Sequence, residues 1–453
     1  MKLEALARGK TLLLGFGREG RSLERAVLAR HPDADVAVLC DRAPEPAPSR
    51  WRMLKDGEEA LSWRPDRILR SPGVPLRHAS VADGLKRGVP VTCTTSCWFA
   101  ERPDARVIGV TGSKGKSTTA TLIEHLLSAE GRRVRLGGNI GVAMLDLLDE
   151  AADWFVVELS SYQLADLTGR VEIGVFTRLF PEHQDWHGGV EQYYRDKLRL
   201  LERLGDRPLW FNARDAELAQ RFGGMASARA VNATGSDYRV ETDGVHRRGV
   251  RVLGAEEFTL SGRHNLDNAA LALAVVESIA GWRASRVEAL ADIRPLPHRL
   301  ERLPVPGEIE WINDSISTTP YATLAALEAC RTPPVLIVGG LERGADWSQV
   351  AAYCRRRPLD ALVALPDNGP SIAERLIAAG AVPEPLVSRV ETMEQAVSEA
   401  QLRRGGRGIV LLSPGAPSFP RFRDFEERGR RFAEAVRRLA AVDPGRGNPG
   451  PRA

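Results

Sequence analysis

The sequence predicts an α/β protein of three domains, and three observations lead there. The chain is 453 residues long, and a prior of about 150 residues per domain divides it into three. Short apolar runs alternate with helical stretches, the pattern of parallel sheets wound with helices. Two glycine-rich turns, at residues 15–20 and 109–115, each follow an apolar run and open a helix.

Composition narrows the class. Hydrophobic residues make up 43% and charged residues 27%, as in an ordinary globular chain. A net charge of +4 is small for this length and points to neither nucleic acid nor membrane. No apolar run approaches the roughly 18 residues that cross a bilayer. Thr11–Leu14 is too short for a signal-peptide core, so a cytoplasmic protein is expected. Cys40, Cys93, Cys97, Cys330 and Cys354 are odd in number, scattered and without Cys-x-x-Cys spacing, which favours free thiols over disulfides or zinc. Seven of the 63 basic residues are lysines, so a position that kept Lys is a candidate for chemistry that Arg cannot supply.

Residues 1 to about 95 open with a strand, Thr11–Leu14, then Gly15-Phe16-Gly17-Arg18-Glu19-Gly20 and a helix through Ala29. A second strand, Val36–Cys40, ends at Asp41-Arg42. This is a dinucleotide-binding fingerprint with its acidic residue about twenty positions on, and taken alone it fits NAD. The next glycine turn arrives before a second βαβαβ half could be complete. A single half, able to hold a nucleotide diphosphate, is therefore expected. Ser71-Pro72-Gly73-Val74-Pro75 reads as a turn available to a ligand.

The second glycine turn centres on Gly112-Ser113-Lys114-Gly115-Lys116-Ser117-Thr118, between the strand Val107–Val110 and a helix over Thr119–Leu127. Glycines let backbone N–H groups point at phosphate oxygens, and the helix N-terminus adds partial positive charge. Lys116 can reach the terminal phosphates, and the Ser117 hydroxyl suits Mg²⁺. The first glycine of the usual P-loop is displaced, with Val110 at its place and Gly109 one earlier. Trp154–Ser161 and Gly174–Leu179 read as further strands, which would carry Glu158 and His183 toward the same sheet edge. Glu158 is a candidate metal ligand there, although a strand-end Glu or a lone His is more often structural. Lys197 is the last lysine in the chain, on an amphipathic helix over 193–201. Its neutral amine could take up CO₂ to give a carbamate oxygen ligand for Mg²⁺, or it could be an ordinary surface lysine. From residue 303 to about 440, strands at 335–338, 361–365 and 408–412 with helices between read as a doubly wound parallel sheet. The Gly- and Pro-rich tail, 441–453, is expected to be disordered.

The ordered motifs over roughly residues 8–440 resemble the Mur ligases, the ATP-dependent amide-forming enzymes of peptidoglycan synthesis. The resemblance rests on Thr111-Gly112-x-x-Gly115-Lys116-Ser117-Thr118, Gly138-Asn139-Ile140-Gly141, Glu158-Leu159-Ser160-Ser161-Tyr162-Gln163-Leu164 and Pro181-Glu182-His183-Gln184-Asp185-Trp186-His187. It continues through Tyr194-x-x-Lys197, Gly262-Arg263-His264-Asn265-x-x-Asn268, Pro297-His298-Arg299, Asn313-Asp314-Ser315 and Ser413-Pro414-x-x-x-Ser418, with Phe425-x-x-Arg428-Gly429.

The resemblance implies a Rossmann-like UDP-binding domain (1–97), a central P-loop ATPase domain (98–302) and a C-terminal Rossmann-like, amino-acid-binding domain (303–440). Gly15, Phe16, Gly17, Arg18, Asp41, Arg42, Ser71, Pro72, Gly73 and Asn139 would hold a UDP-sugar, with Arg18 on its diphosphate. Gly112 through Thr118 would hold ATP, together with Asn268, Arg299 and Asp314. Lys116, His183 and Lys197 would be catalytic. Ser117 and Glu158 would bind one Mg²⁺, and His183 and a carbamylated Lys197 a second. Thr318, Arg343, Ser418 and Phe425 would contact glutamate. The implied partners are small molecules alone, ATP, glutamate and UDP-N-acetylmuramoyl-L-alanine, with no nucleic acid, no membrane insertion and a monomeric state. A switch protein that only binds ATP would have little use for a second metal site, and a folate polyglutamylating ligase would lack the N-terminal glycine turn. One departure bears on the substrate. Where the glutamate-adding branch usually has Lys, this chain has Ile316, and Arg343 stands for a second Lys. Such rearranged cations resemble a variant that adds L-glutamate, with D-glutamate as the alternative and an NAD-dependent oxidoreductase the more distant one.

Overall fold

A computed structural model describes residues 1–41, 44, 46–260, 262–291, 293, 297–342, 344–418 and 420–442. Arg42, Arg343 and the tail from 443 onward, all named above, lie outside the described residues. The chain forms two compact units, Met1–Thr259 with Arg263–Ile293, and Leu260–Gly262 with Arg294 onward.

The first unit contains two parallel sheets. The N-terminal sheet joins β1 (Thr11–Leu14), β2 (Val36–Leu39), β3 (Arg52–Met53), β4 (Arg67–Arg70) and β5 (Val91–Cys93) in the order β3-β2-β1-β4-β5. Every pairing in it is parallel. All four residues of β1 are buried, as a strand covered by helices on both faces requires. The second nucleotide-binding half is incomplete, as the early arrival of the second glycine turn implied. The order is that of the dinucleotide fold short of its sixth strand. The edge strands β3 and β5, of 2 and 3 residues, are too short to leave an apolar run in the sequence.

The central sheet runs β11-β10-β9-β6-β8-β7, built from β6 (Val107–Thr111), β7 (Val134–Gly138), β8 (Trp154–Glu158), β9 (Ile173–Phe176), β10 (Leu209–Asn212) and β11 (Ala228–Val231). It too is wholly parallel. Parallel strands put the residues that follow β6, β7 and β8 on one edge, and that edge carries the glycine turn, Asn139 and Glu158. A third, antiparallel sheet of β12 (Tyr238–Glu241), β13 (Gly244–Arg247) and β14 (Val250–Gly254) went unread in the sequence. Its two-residue hairpin turn is Thr242-Asp243, between the paired Glu241 and Gly244. Gly244, at φ 143°, leaves no room for a Cβ against the Leu253 carbonyl.

The second unit orders β15 (Glu301–Arg302), β16 (Glu308–Asn313), β17 (Pro334–Val338), β18 (Ala361–Ala364), β19 (Val387–Arg389) and β20 (Arg407–Leu412) as β15-β16-β20-β17-β18-β19. Five strands are parallel, while β15, which precedes residue 303, pairs antiparallel with β16 at the edge. Arg428 is fully buried under this sheet's carboxyl edge. It donates to the Ser315, Gly339 and Ala416 carbonyls and to Ser315 Oγ at 2.8–3.3 Å.

Candidate active site

The glycine turn after β6 requires its glycines. Gly112 sits at φ 144° and Gly115 at φ 89°. A Cβ on Gly112 would collide with Thr177, and one on Gly115 would come within 2.6 Å of Asn268 Oδ1. Asn268, on the helix Arg263–Ala280, is thereby seated against the turn with the predicted nucleotide-binding residues. The helix Lys116–Ala129 starts at the turn, so Lys116, Ser117 and Thr118 occupy its first positions. Lys116 Nζ folds back to the Gly112 and Ser113 carbonyls, each at 3.0 Å. Lys114 pairs with Glu182 at 3.0 Å. Ser113 braces the turn from within, its hydroxyl bonding the Phe180 carbonyl and the Tyr193 hydroxyl, both at 2.7 Å.

Glu158 ends β8 in the interior. Asn139 Nδ2 donates to its Oε1 at 2.6 Å. Its Oε2 is buried and has no hydrogen-bond partner among the described residues. A buried carboxylate oxygen left unsatisfied costs free energy unless something cationic meets it. Glu158 therefore fits a metal ligand.

Lys197 is 1% exposed, which removes the surface-lysine alternative. Its Nζ donates to the Gly112 carbonyl at 2.6 Å. Burial, reinforced by Lys116 and opposed by Glu182 and Glu158, pushes its ammonium well below the ordinary lysine range. His183 takes the left-handed conformation, at φ 52°, where it heads the helix Gln184–His187. Desolvation, assisted by Lys116 and Lys197 against Glu182, lowers its imidazole toward the neutral form that can act as a ligand. Glu182 was missed in the sequence, although it adjoins His183. Burial pushes its carboxyl up, but Lys114 and Lys116, which it faces, outweigh burial and hold it below the usual carboxylate range.

At the N-terminal sheet a cleft of about 270 Å³ lies beyond β1 and β2. Of the residues expected to hold a UDP-sugar, Gly15, Phe16, Gly17 and Asp41 line it, and Arg21 and His78, which were not predicted, join them. Arg18 turns away from it. Its guanidinium donates to the Gly141, Gly138 and Asn139 carbonyls at 3.1, 3.0 and 2.8 Å. Ser71 Oγ donates to the Gly15 carbonyl at 2.9 Å and so shapes the cleft from behind. The Pro72 and Gly73 carbonyls accept from Arg70 and from Trp186 Nε1, at 3.2 and 2.9 Å. Arg70, fully buried at the end of β4, also holds the Val74 and Tyr162 carbonyls and both oxygens of Asp166, at 2.5–2.9 Å.

In the second unit Asp314 follows β16. Ser413 Oγ donates to Asp314 Oδ2 at 2.8 Å and the Leu300 N–H to Oδ1 at 3.2 Å. Burial raises its carboxyl to about 6, against the pull of Ser317, Ser413 and Arg299. Ser418 lines a cleft of about 230 Å³ at the carboxyl ends of β17 and β18, with Arg421 and Arg431 among the other lining residues. Thr318 and Phe425 do not line that cleft. Phe425 instead receives the Ser315 hydroxyl on its carbonyl at 2.8 Å.

Comparison with known proteins identifies the scaffold. A UDP-N-acetylmuramoyl-L-alanine–L-glutamate ligase from Micromonospora sp. is 39% identical, over 97% of this chain and 99% of its own length. The chain belongs to the Mur ligase family. Family models described as the Mur ligase middle domain and the Mur ligase glutamate ligase domain match residues 110–276 and 298–415. A relative of the same name from Xylella fastidiosa is 37% identical, over 98% of this chain and 97% of its own. Solved Mur ligases share the fold. A UDP-N-acetylmuramate–alanine ligase from Thermotoga maritima superposes with a TM-score of 0.63 at 18% identity, covering 96% of this chain and 100% of that one. A MurF ligase from the same organism, in complex with ADP, gives 0.60 at 14% identity, covering 97% of each chain. This Mur ligase is therefore an α/β enzyme of three sheet-centred domains, as its sequence predicts.

Proposed function

We propose that this Mur ligase joins L-glutamate to UDP-N-acetylmuramoyl-L-alanine, splitting ATP into ADP and phosphate. The observation that carries the reading is the meeting of Lys116, Lys197 and the unsatisfied Glu158 oxygen around one glycine turn. A carboxylate is a poor electrophile, so its oxygen must first take the terminal phosphoryl group of ATP to become an acyl phosphate. That transfer needs positioning and charge neutralisation more than a protein nucleophile. The turn's N–H groups and Lys116 cradle the phosphates. The neutral amine of glutamate then attacks the acyl carbon, phosphate leaves, and an amide results. Positive charge near the acyl oxygen favours the tetrahedral intermediate.

In this reading Ser117 and Glu158 hold one Mg²⁺, and His183 and Lys197 a second. Bound there, Mg²⁺ supplies further neutralisation of the phosphate charge. The Lys197 amine, driven toward its neutral form by burial, attacks CO₂ and loses a proton to give a carbamate, an oxygen donor that arginine cannot provide. The 270 Å³ cleft takes the UDP-sugar and the Ser418 cleft the amino acid. With nucleotide substrates the enzyme works in the cytoplasm, as a monomer. The test is ADP release with UDP-N-acetylmuramoyl-L-alanine, ATP, Mg²⁺ and each glutamate enantiomer in turn. The expected outcome is turnover with L-glutamate; preference for D-glutamate overturns the reading.

A further inference from the structure

Next to the glycine turn lies a second polar cluster for which the reaction above has no use. His187 Nδ1 meets Asp196 Oδ2 at 2.6 Å, and His187 Nε2 meets Ser161 Oγ at 2.9 Å. Gln192 Nε2 donates to the other Asp196 oxygen at 2.8 Å. All three members of the Ser–His–Asp line are buried, at 3%, 8% and 3% exposure. The order is that of a hydrolase triad, but a serine closed off from solvent cannot attack a substrate. Both ring nitrogens of His187 are thereby engaged, one by a carboxylate oxygen and one by a hydroxyl, so the imidazole is held in orientation.

What the line joins is its significance. Ser161 lies three residues after Glu158, at the start of the helix Ser161–Leu164. His187 lies four residues after His183, one turn along the helix Gln184–His187. Asp196 immediately precedes Lys197 on the helix Val190–Leu204, so one side chain faces His187 while the next faces Gly112. Rings brace the same segments. Tyr162 stacks on Trp186 at 4.5 Å and approaches His183 at 5.0 Å, and His187 meets Tyr193 edge-on at 5.3 Å. We propose that His187 is a positioning residue, whose grip on Asp196 and Ser161 locks together the three segments that carry Glu158, His183 and Lys197. The proposal rests on the reading of those three as the metal-side groups.

The test compares wild type with His187→Ala, Ser161→Ala and Arg286→Ala. Arg286 is equally buried and pairs with Glu130 away from the glycine turn, so it controls for lost packing alone. Two readouts are independent of turnover: the ¹³C NMR signal of a lysine carbamate in enzyme equilibrated with labelled bicarbonate, and Mn²⁺ affinity in the presence of ADP by electron paramagnetic resonance. His187→Ala should weaken Mn²⁺ binding about tenfold or more and diminish the carbamate signal, and Arg286→Ala should change neither. Ser161→Ala, the mildest deletion, should fall between and keeps the proposal testable if His187→Ala fails to fold. Normal Mn²⁺ affinity and carbamate in either site variant would overturn the proposal alone. A wild-type enzyme lacking both signals would overturn the underlying metal reading, and the proposal with it.

Discussion

Asn139 donates to one oxygen of Glu158 at 2.6 Å, and the other oxygen is buried with no partner among the described residues. A side chain held so firmly at one oxygen and left unsatisfied at the other is oriented for a cation. Glu158→Gln should lower ADP release by roughly 10²-fold or more, since charge stabilisation at the phosphates is lost. The melting temperature should stay near that of wild type, because Gln keeps the side chain's shape and the contact from Asn139. A variant with full activity would make Glu158 a structural hydrogen-bonder only.

Lys197 offers a sharper chemical test. Lys197→Ala should abolish ATP turnover, and short carboxylic acids in the buffer should restore part of it by replacing the carbamate oxygens. Lys197→Arg keeps the positive charge but cannot form a carbamate. Near wild-type turnover in Lys197→Arg would exclude the carbamate.

Two arginines near the N-terminal glycine turn should separate by kinetics. Arg21 lines the 270 Å³ cleft, and its guanidinium lies 5.1 Å from the Phe16 ring. Arg21→Ala should raise KM for the UDP-substrate about tenfold, the worth of one charge-assisted contact, and leave KM for ATP unchanged. Arg18 grips the carbonyls around Asn139, so Arg18→Ala should act mainly on kcat. Tight NAD binding by the wild-type enzyme would contradict both.

Asp314 makes stability depend on pH. Its carboxyl is raised to about 6 in the folded chain, against about 3.9 when unfolded. Between those values the folded state holds one more proton than the unfolded state, so stability falls as pH rises. The loss is complete above the folded value and amounts to roughly 2–3 kcal/mol. Asp314→Asn removes this titration. Its melting temperature relative to wild type should therefore climb from about pH 4 to about pH 7, and a flat difference would place the shift elsewhere.

Much of the site was legible because it is local. A glycine turn between a strand and a helix, and a carboxylate at the end of a neighbouring parallel strand, must share one edge, so Gly112 to Thr118 and Glu158 could be read before any coordinates. The contacts that decide roles are not local. Arg18 reaches carbonyls some 120 residues away, and nothing in its own neighbourhood forecasts that it would turn from the cleft. Lys197 sits in an amphipathic pattern that shows a buried face but not which polar residue is drawn into it. The hairpins at 238–254 were hidden for another reason: their strands are 4 and 5 residues long, with too few alternations to stand out from a loop.

Arg70 is one side chain serving two sheets. Its guanidinium ends β4, carries the 72–74 turn, and grips Asp166 and the Tyr162 carbonyl beside the central sheet. Opening either side alone would strand a buried charge, at a cost of several kcal/mol. The two sheets should consequently melt as one cooperative block, and their slowest amide protons should exchange with solvent at a common rate.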